Sequence, residues 1–315
     1  MNNRNDKNLK SSNSHKSRES HLSDKEGDIM TLANKNIVSI SQSTHIKDAV
    51  ATMVKKEFRR LPITDAGSGK LRGILTSMDV ISFLGGGDKY NLMIEKHEDN
   101  FLAAINDPVR KIMTTKVRHI THKYSIKETI EYMIEKSAGA VPILNEEEKI
   151  VGMVAERDFI LTLAGVFTDE IVQDFMTTDL ITTTPGTPIE GASKIMVRNS
   201  FRRIPIVGKG KDIPKINKEE LVGIMTSTDL LRFLGDSDLF NNLSSNSTLE
   251  ILDSKVSDFM IRNVLTIDPL TRIGDLCKIL IENGVGGVPV IKDHELLGII
   301  TERDILKLIV NSYSN

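Results

Sequence analysis

Four aspartates occupy matching places along this chain, and two arginine pairs accompany them. Asp79, Asp158, Asp229 and Asp304 each follow a glycine by six residues: Gly73, Gly152, Gly223 and Gly298. Thr76, Thr226 and Thr301 stand three residues before three of the aspartates, and Ala155 takes that place before Asp158. Thr-x-x-Asp at a helix start is a capping box, worth about 0.5–2 kcal/mol with no ligand present. A carboxylate fixed this way can also accept from a ligand's hydroxyls, through charge-assisted bonds of about 1.5–3 kcal/mol. Arg59-Arg60 and Arg202-Arg203 lie just before prolines, and Arg157 and Arg303 immediately precede two of the aspartates. A guanidinium fork matches phosphate or carboxylate; an arginine pair at a helix-strand corner can equally be a solvated surface.

Such groups act together only if a repeated unit holds them at equivalent points, and the spacing indicates one. Ile46, Ile126, Ile189 and Ile273 are followed seven residues later by Met53, Met133, Met196 and Leu280, and nine residues after those by Pro62, Pro142, Pro205 and Pro289. Ile46, Ala49, Val50, Met53 and Val54 form one stripe of an amphipathic helix. Ser125 with Glu128, and Thr187 with Glu190, have capping-box spacing, and Pro188 suits a first helical turn. Segments ending in Met (Ile112-Met113, Phe175-Met176, Phe259-Met260) lead into apolar strands such as Val117 to Ile120 and Val264 to Ile267. The proline strand should start at, or lie along, a sheet edge, because proline donates nothing to a ladder. A polar turn, a strand such as Leu297 to Ile300, and a helix beginning near the aspartate complete a β-α-β-β-α unit.

The copies alternate. One and three share Phe-Arg-Arg before the proline and Ser before the aspartate's neighbour; two and four carry Gly-Ala-Val-Pro or Gly-Gly-Val-Pro and Glu-Arg-Asp. The interval from Pro142 to Pro205 is shorter than those from Pro62 to Pro142 or Pro205 to Pro289, so the chain reads as a doubled two-copy unit. The boundaries expected are a disordered tail at 1–27, copies at 28–88, 108–166, 167–236 and 255–311, and linkers at 89–107 and 237–254. A copy of about 60 residues buries a marginal core alone, so pairing is expected.

Composition narrows the function. A net charge of -2, from 41 basic and 43 acidic side chains, argues against duplex binding through counterion release. No apolar run approaches the ~20 residues that span a bilayer, and no signal-peptide core is seen. A cytoplasmic protein is expected. The single cysteine, Cys277, reads as a core residue. His119 and His122, three apart on a strand, face opposite ways and make a poor metal pair; no metal site is expected. Gly85-Gly86-Gly87 reads as a helix stop and hinge.

The run Gly-Ile-Ile-Thr-Glu-Arg-Asp-Ile-Leu from Gly298, preceded by Gly-Gly-Val-Pro-Val-Ile from Gly286, resembles the CBS (cystathionine-beta-synthase-type) domain. Paired copies resemble the Bateman module, so the fold class is α/β (α+β), four repeats in two modules. The resemblance implies sheet-to-sheet pairing, with adenosine-containing ligands (AMP, ADP, ATP and in some members S-adenosylmethionine) in clefts about a pseudo-twofold axis. The odd copies resemble repeats of the AMP-activated kinase gamma subunit. By that resemblance Asp79, Asp158, Asp229 and Asp304 hold ribose hydroxyls with Thr76, Thr226 and Thr301, and Ala155 weakens or empties the second site. Arg59 and Arg202, three before the proline, take phosphate, aided by Arg60 and Arg203, with Arg157 and Arg303 in second rank. Gly139 and Gly286 hold the same position in the even copies, where they are expected to leave room for the phosphates. Val38, Val117, Leu180 and Val264 are the expected adenine walls.

The function expected is a non-catalytic adenine-nucleotide sensor acting on a protein effector in trans. Outside the repeats lie only the tail, the linkers and an insertion from Lys209 to Glu219, too little for a catalytic domain, and no nucleophile-base arrangement stands out. A structural or nucleic-acid-binding scaffold is the alternative, and a homodimer is compatible with either.

Overall fold

The computed structural model describes residues 23–98, 100–163, 169–209, 219–235 and 251–313. The tail before residue 23, most of the 237–254 linker and the interior of the 209–219 insertion lie outside the described residues. The first copy comprises α1 (Ile29–Leu32), β1 (Ile40–Ser41), α2 (Ile46–Lys55), β2 (Arg60–Thr64), β3 (Leu71–Thr76) and α3 (Ser77–Ile81). After α4 (Asn91–His97) and α5 (Phe101–Ile105), the second has β4 (Ile120–Thr121), α6 (Ile126–Glu135), β5 (Ala140–Leu144), β6 (Ile150–Ala155) and α7 (Glu156–Leu163). The third has α8 (Ile189–Asn199), β7 (Arg203–Lys209), β8 (Glu219–Thr226) and α9 (Ser227–Gly235). The fourth has α10 (Ile273–Glu282), β9 (Gly287–Lys292), β10 (Glu295–Thr301) and α11 (Glu302–Tyr313).

The helix stripes are buried as the periodicity requires: Ile46, Ala49, Val50 and Met53 are fully enclosed. Ser125 and Glu128 form the expected capping box on α6, and Asp28 Oδ1 accepts the Ile126 N–H at 2.7 Å from far along the chain. The Thr187–Glu190 box does not form. Helix α8 starts one residue later, with Pro188 as its cap, and proline has no N–H to give the glutamate. Thr187 instead bonds Thr183 at 2.7 Å, and Glu190 pairs with Lys194.

The first strand is shorter than expected. Val117 to His119 join no ladder, and only Ile120 and Thr121 pair, parallel, with Ile143 and Leu144. Val264 to Ile267 makes a single bridge, Ile267 to Val290. The proline strand is therefore central where a first strand pairs, in the order β1-β2-β3 and β4-β5-β6, rather than at an edge. Its missing donor is still tolerated: the Pro205 carbonyl accepts the Thr183 N–H at 3.1 Å, so the proline nitrogen faces the side on which that pairing only begins. In every copy the hairpin register slips just before the recurring glycine.

That bulge and glycine receive the neighbouring copy. A Cβ on Gly73 would sit 2.7 Å from Met113 Sδ, on Gly223 2.8 Å from Met260 Sδ, and on Gly298 2.8 Å from Met176 Sδ. Gly152 receives Ala33 Cβ at 3.1 Å. The same segments bridge their partners, Ile74 to Thr114, Asn34 to Met153, Ile224 to Ile261 and Thr177 to Ile299. Copies one and two, and copies three and four, thus complete each other's sheets.

Helices join the two modules within one chain. Ile130, Phe159 and Ile160 of copy two share a core with Leu276, Cys277, Ile305 and Ile309 of copy four. Leu231 and Leu234 of α9 enter the core of copy one beside Phe83 and Leu84. The expected 89–107 linker carries helices, and its Phe101, Ala104 and Ile105 are part of that same core. Ser23 to Gly27, expected in the tail, dock on copy two through Gly27 N–H to the Lys123 carbonyl at 2.9 Å.

Candidate functional site

Each aspartate is fixed by the turn that starts the last helix of its copy. Thr76 donates to Asp79 Oδ2 from its N–H at 2.7 Å and from Oγ1 at 2.6 Å, and Asp79 N–H returns a bond to Thr76 Oγ1 at 3.2 Å. Thr226 repeats this on Asp229 at 2.8 and 2.6 Å, and Thr301 on Asp304 at 3.0 and 2.7 Å. At Ala155 only the backbone bond to Asp158 Oδ2 survives, at 2.7 Å. Burial pushes the Asp158 carboxyl above its ordinary range, with Glu302 adding to the rise, against the Ala155 N–H bond and Arg157. The capping reading is therefore correct structurally, and it consumes one carboxylate oxygen.

The second oxygen separates the copies. Asp79 Oδ1 is held by Lys89 Nζ and by Thr114 Oγ1 at 2.9 Å, and Asp229 Oδ1 faces Arg232 Nη1 at 3.4 Å. Among the described residues, Asp304 Oδ1 has only Lys307 Nζ, at 3.9 Å. Asp158 and Asp304 open onto cavities, whereas Asp79 and Asp229 line neither cavity described below.

The six arginines converge where the modules meet. A Cβ on Gly139 would lie 2.7 Å from Arg60 Nη2 and 3.2 Å from Arg202 Nη1. One on Gly286 would lie 3.0 Å from Arg203 Nη2 and 3.1 Å from Arg59 Nη1. The space beside Gly139 is taken by guanidinium groups, and beside Gly286 by guanidinium groups together with Glu302 Oε2 at 2.9 Å. Each corner also takes one arginine from each module, so the third copy's Arg202 reaches the second copy and the first copy's Arg59 the fourth.

Two carboxylates stand among these cations. Glu156 accepts from Arg202 Nη2 at 2.9 Å and from Arg303 Nε at 2.8 Å, and Glu302 accepts from Arg157 Nε at 2.8 Å. Ser77 and Ser227 occupy the same position in the odd copies and meet each other at 3.1 Å. Burial pushes the Glu156 carboxyl up, but Arg202 and Arg303 outweigh it and hold it below the usual carboxylate range. Among the described residues, Arg59, Arg60 and Arg203 pair with no carboxylate, and the buried Arg157 Nη2 has no hydrogen-bond partner. Burial, then the neighbouring Arg202, lowers Arg60 to about 9 and Arg203 to about 10, and burial lowers Arg59 in the same direction. Arg60 and Arg203 stay charged at neutral pH, in a setting that favours an added anion.

Two cavities border this cluster. One of about 910 Å³ joins Thr76 and Val117 to Leu180, Thr301 and Asp304 past the arginines. The other, of about 240 Å³, is lined by Val38, Pro62, Asp158 and Arg157. Arg59, Arg60 and Arg202 line both. Three expected adenine walls thus face cavities, each beside another copy's Thr or Asp; Val264 lines neither. The larger volume lies in the range of small-molecule sites, about 300–1,000 Å³.

Sequence reasoning missed Glu156, Glu302, Ser77, Ser227, Thr114 and Lys89. A signal existed for four of them, the alternation of Ser and Glu two places before the aspartate. His119 and His122 each turn Nδ1 toward a backbone carbonyl, of Val117 and Leu144. The described residues contain no cluster of three metal-ligating side chains and no helix long and apolar enough to cross a membrane. Burial pushes the Cys277 thiol up to about 12, which leaves it inert as a nucleophile.

A family model for the CBS domain matches residues 27–86, 109–165, 172–236 and 256–311. Protein MJ1225 of Methanocaldococcus jannaschii is 40% identical over 282 residues, covering 89% of this chain and 98% of its own length. Its crystal structure, described as that of a proposed archaeal homologue of the AMP-activated kinase gamma subunit, matches with a TM-score of 0.83 over 89% of this chain and 99% of that one. A protein from a ribosomal RNA operon of Thermofilum pendens is 26% identical over 267 residues, 85% of this chain and 86% of its own. A conserved protein of Pyrococcus horikoshii, 19% identical, shares the fold with a TM-score of 0.55 over 89% of this chain and 99% of that one. Four family matches, each on a copy whose sheet is completed by its neighbour, establish that this chain belongs to the CBS-domain family and carries four such domains.

Proposed function

We propose that the chain is a non-catalytic sensor that binds adenine nucleotides at the junction of its modules and passes their occupancy to a protein partner in trans. The observation that carries this reading is the convergence of Arg59, Arg60 and Arg203, without carboxylate partners among the described residues, on cavities that also hold Asp158 or Asp304. Phosphates would take the guanidinium groups, and Asp304 with Thr301, or Asp158, would take the ribose hydroxyls through the oxygen that capping leaves over. Val38, Val117 and Leu180 would flank the base. The description of MJ1225 as a proposed gamma-subunit homologue supports a regulatory role.

Because modules one and two both contribute to each arginine corner, a ligand there would bias how the modules sit against one another, which is what a partner could read. Titration calorimetry with AMP, ADP, ATP, S-adenosylmethionine and NADH, with adenosine as the uncharged control, tests the reading. Binding of phosphorylated ligands well above adenosine is expected. Indifference to all of them at millimolar concentration would turn the assignment to a structural scaffold.

A further inference from the structure

We propose that Glu156 and Glu302 determine which phosphate chains this centre accepts, acting as built-in counter-anions that share the arginines with the ligand. The inference rests on the nucleotide reading above and specifies its selectivity. Both glutamates are almost wholly buried, at 1% and 4% exposure. Glu156 divides its two oxygens between Arg303 of the fourth copy and Arg202 of the third, while it belongs to the second. Glu302 takes Arg157 Nε, leaving that guanidinium's Nη2 buried without a partner.

The position is one that chain geometry alone does not require to be acidic. Its counterparts Ser77 and Ser227 are also buried and are content with a single mutual hydrogen bond. Carboxylates are placed only in the copies that contribute glycine rather than arginine to the corners. There they neutralise two of the six guanidinium charges and leave a surplus.

The two glutamates therefore set the electrostatic cost of each additional ligand charge. A monophosphate carries about two negative charges near neutral pH and a triphosphate about four. At equal distance, Coulomb repulsion from a fixed carboxylate doubles when the ligand charge doubles. Removing one carboxylate must favour the more highly charged ligand disproportionately, so the present pair holds the centre back from long phosphate chains.

The experiment compares inorganic tripolyphosphate, AMP and adenosine on the full chain, in the native sequence and as Glu156→Gln, Glu302→Gln and Glu156→Asp, by calorimetry. Either glutamine variant should tighten tripolyphosphate by roughly tenfold and AMP by roughly threefold, leaving adenosine unmoved, as charge scaling requires. Glu156→Asp keeps the charge and should stay near the native ratio. If Glu156→Gln does not fold, Glu302→Gln, which releases a single arginine bond, carries the same comparison. An unchanged tripolyphosphate-to-AMP ratio in the glutamine variants overturns the inference while leaving the nucleotide reading in place. Native protein that binds neither AMP nor tripolyphosphate overturns both.

Discussion

Gly139 of the second copy and Arg60 of the first approach so closely that a methyl group on the glycine would stand 2.7 Å from Arg60 Nη2. The neighbour is the far end of a long side chain, so Gly139→Ala should be tolerated in the fold while displacing the guanidinium. The expected result is a fall of several-fold in AMP and ATP affinity, with adenosine and the melting temperature little changed. Calorimetry against the three ligands decides it; equal losses for all three would remove Arg60 from phosphate binding.

Gly298 offers the contrasting case. Its added Cβ would meet the Thr177 carbonyl oxygen and Met176 Sδ, both at 2.8 Å, and the former is backbone that cannot swing aside. Overpacking of this kind costs typically 1–3 kcal/mol. Urea unfolding of Gly298→Ala should show a loss in that range, larger than for Gly139→Ala.

Asp304 and Asp229 each accept from the N–H and hydroxyl of the threonine three residues earlier but differ in access to a cavity. Replacing either by Ala removes the carboxylate half of the capping box and should cost about 0.5–2 kcal/mol of stability. Only Asp304→Ala should also weaken nucleotide binding, by about 1–3 kcal/mol for a lost charge-assisted bond. Paired unfolding and binding measurements on the two variants check this. Comparable affinity in both would leave the aspartates as caps alone.

Lys89 occupies the Asp79 oxygen that a ribose would need. Lys89→Ala should free it, with Thr114 still holding one side at 2.9 Å. An added binding event, or a higher stoichiometry for AMP, is the expected outcome. Unchanged stoichiometry would make the lysine contact purely structural.

The depressed Arg60 and Arg203 predict a pH dependence. Folded-state values of about 9 and 10 lie below the ordinary arginine range, so above pH 9 the unfolded chain binds more protons than the ligand-free folded chain. From these groups the free protein gains stability as pH rises above about 9, and that contribution is lost as pH falls through about 10 and 9. A bound phosphate favours the charged forms and opposes the change. The rise in melting temperature produced by ATP should therefore be level between pH 7 and 8 and shrink above about 9. Thermal scans across that range, with and without ATP, test it.

Repetition made most of the fold readable. Four prolines, glycines and aspartates in step identified the unit, and the burial of Ile46, Ala49, Val50 and Met53 follows from their spacing alone. The first strand was overread because Val117 to His119 have strand-like composition but no neighbour to pair with. The proline strand was misplaced because a missing N–H excludes only one point of a ladder, not a central position. Glu156 and Glu302 resembled ordinary acids in a first helical turn, where they favour the helix dipole. Their burial comes from arginines in other copies, which no local pattern reports. Phe101, Ala104 and Ile105, by contrast, carry a legible i, i+3, i+4 stripe inside what read as a linker.

The interlocking of α9 with the first copy has a consequence for synthesis. Phe83 and Leu84 leave the ribosome long before Leu231 and Leu234, the residues that cover them. At roughly 5–20 residues per second, translation leaves that apolar face waiting on the order of ten seconds. Until the third copy emerges to seal it, the nascent first copy carries its apolar face uncovered.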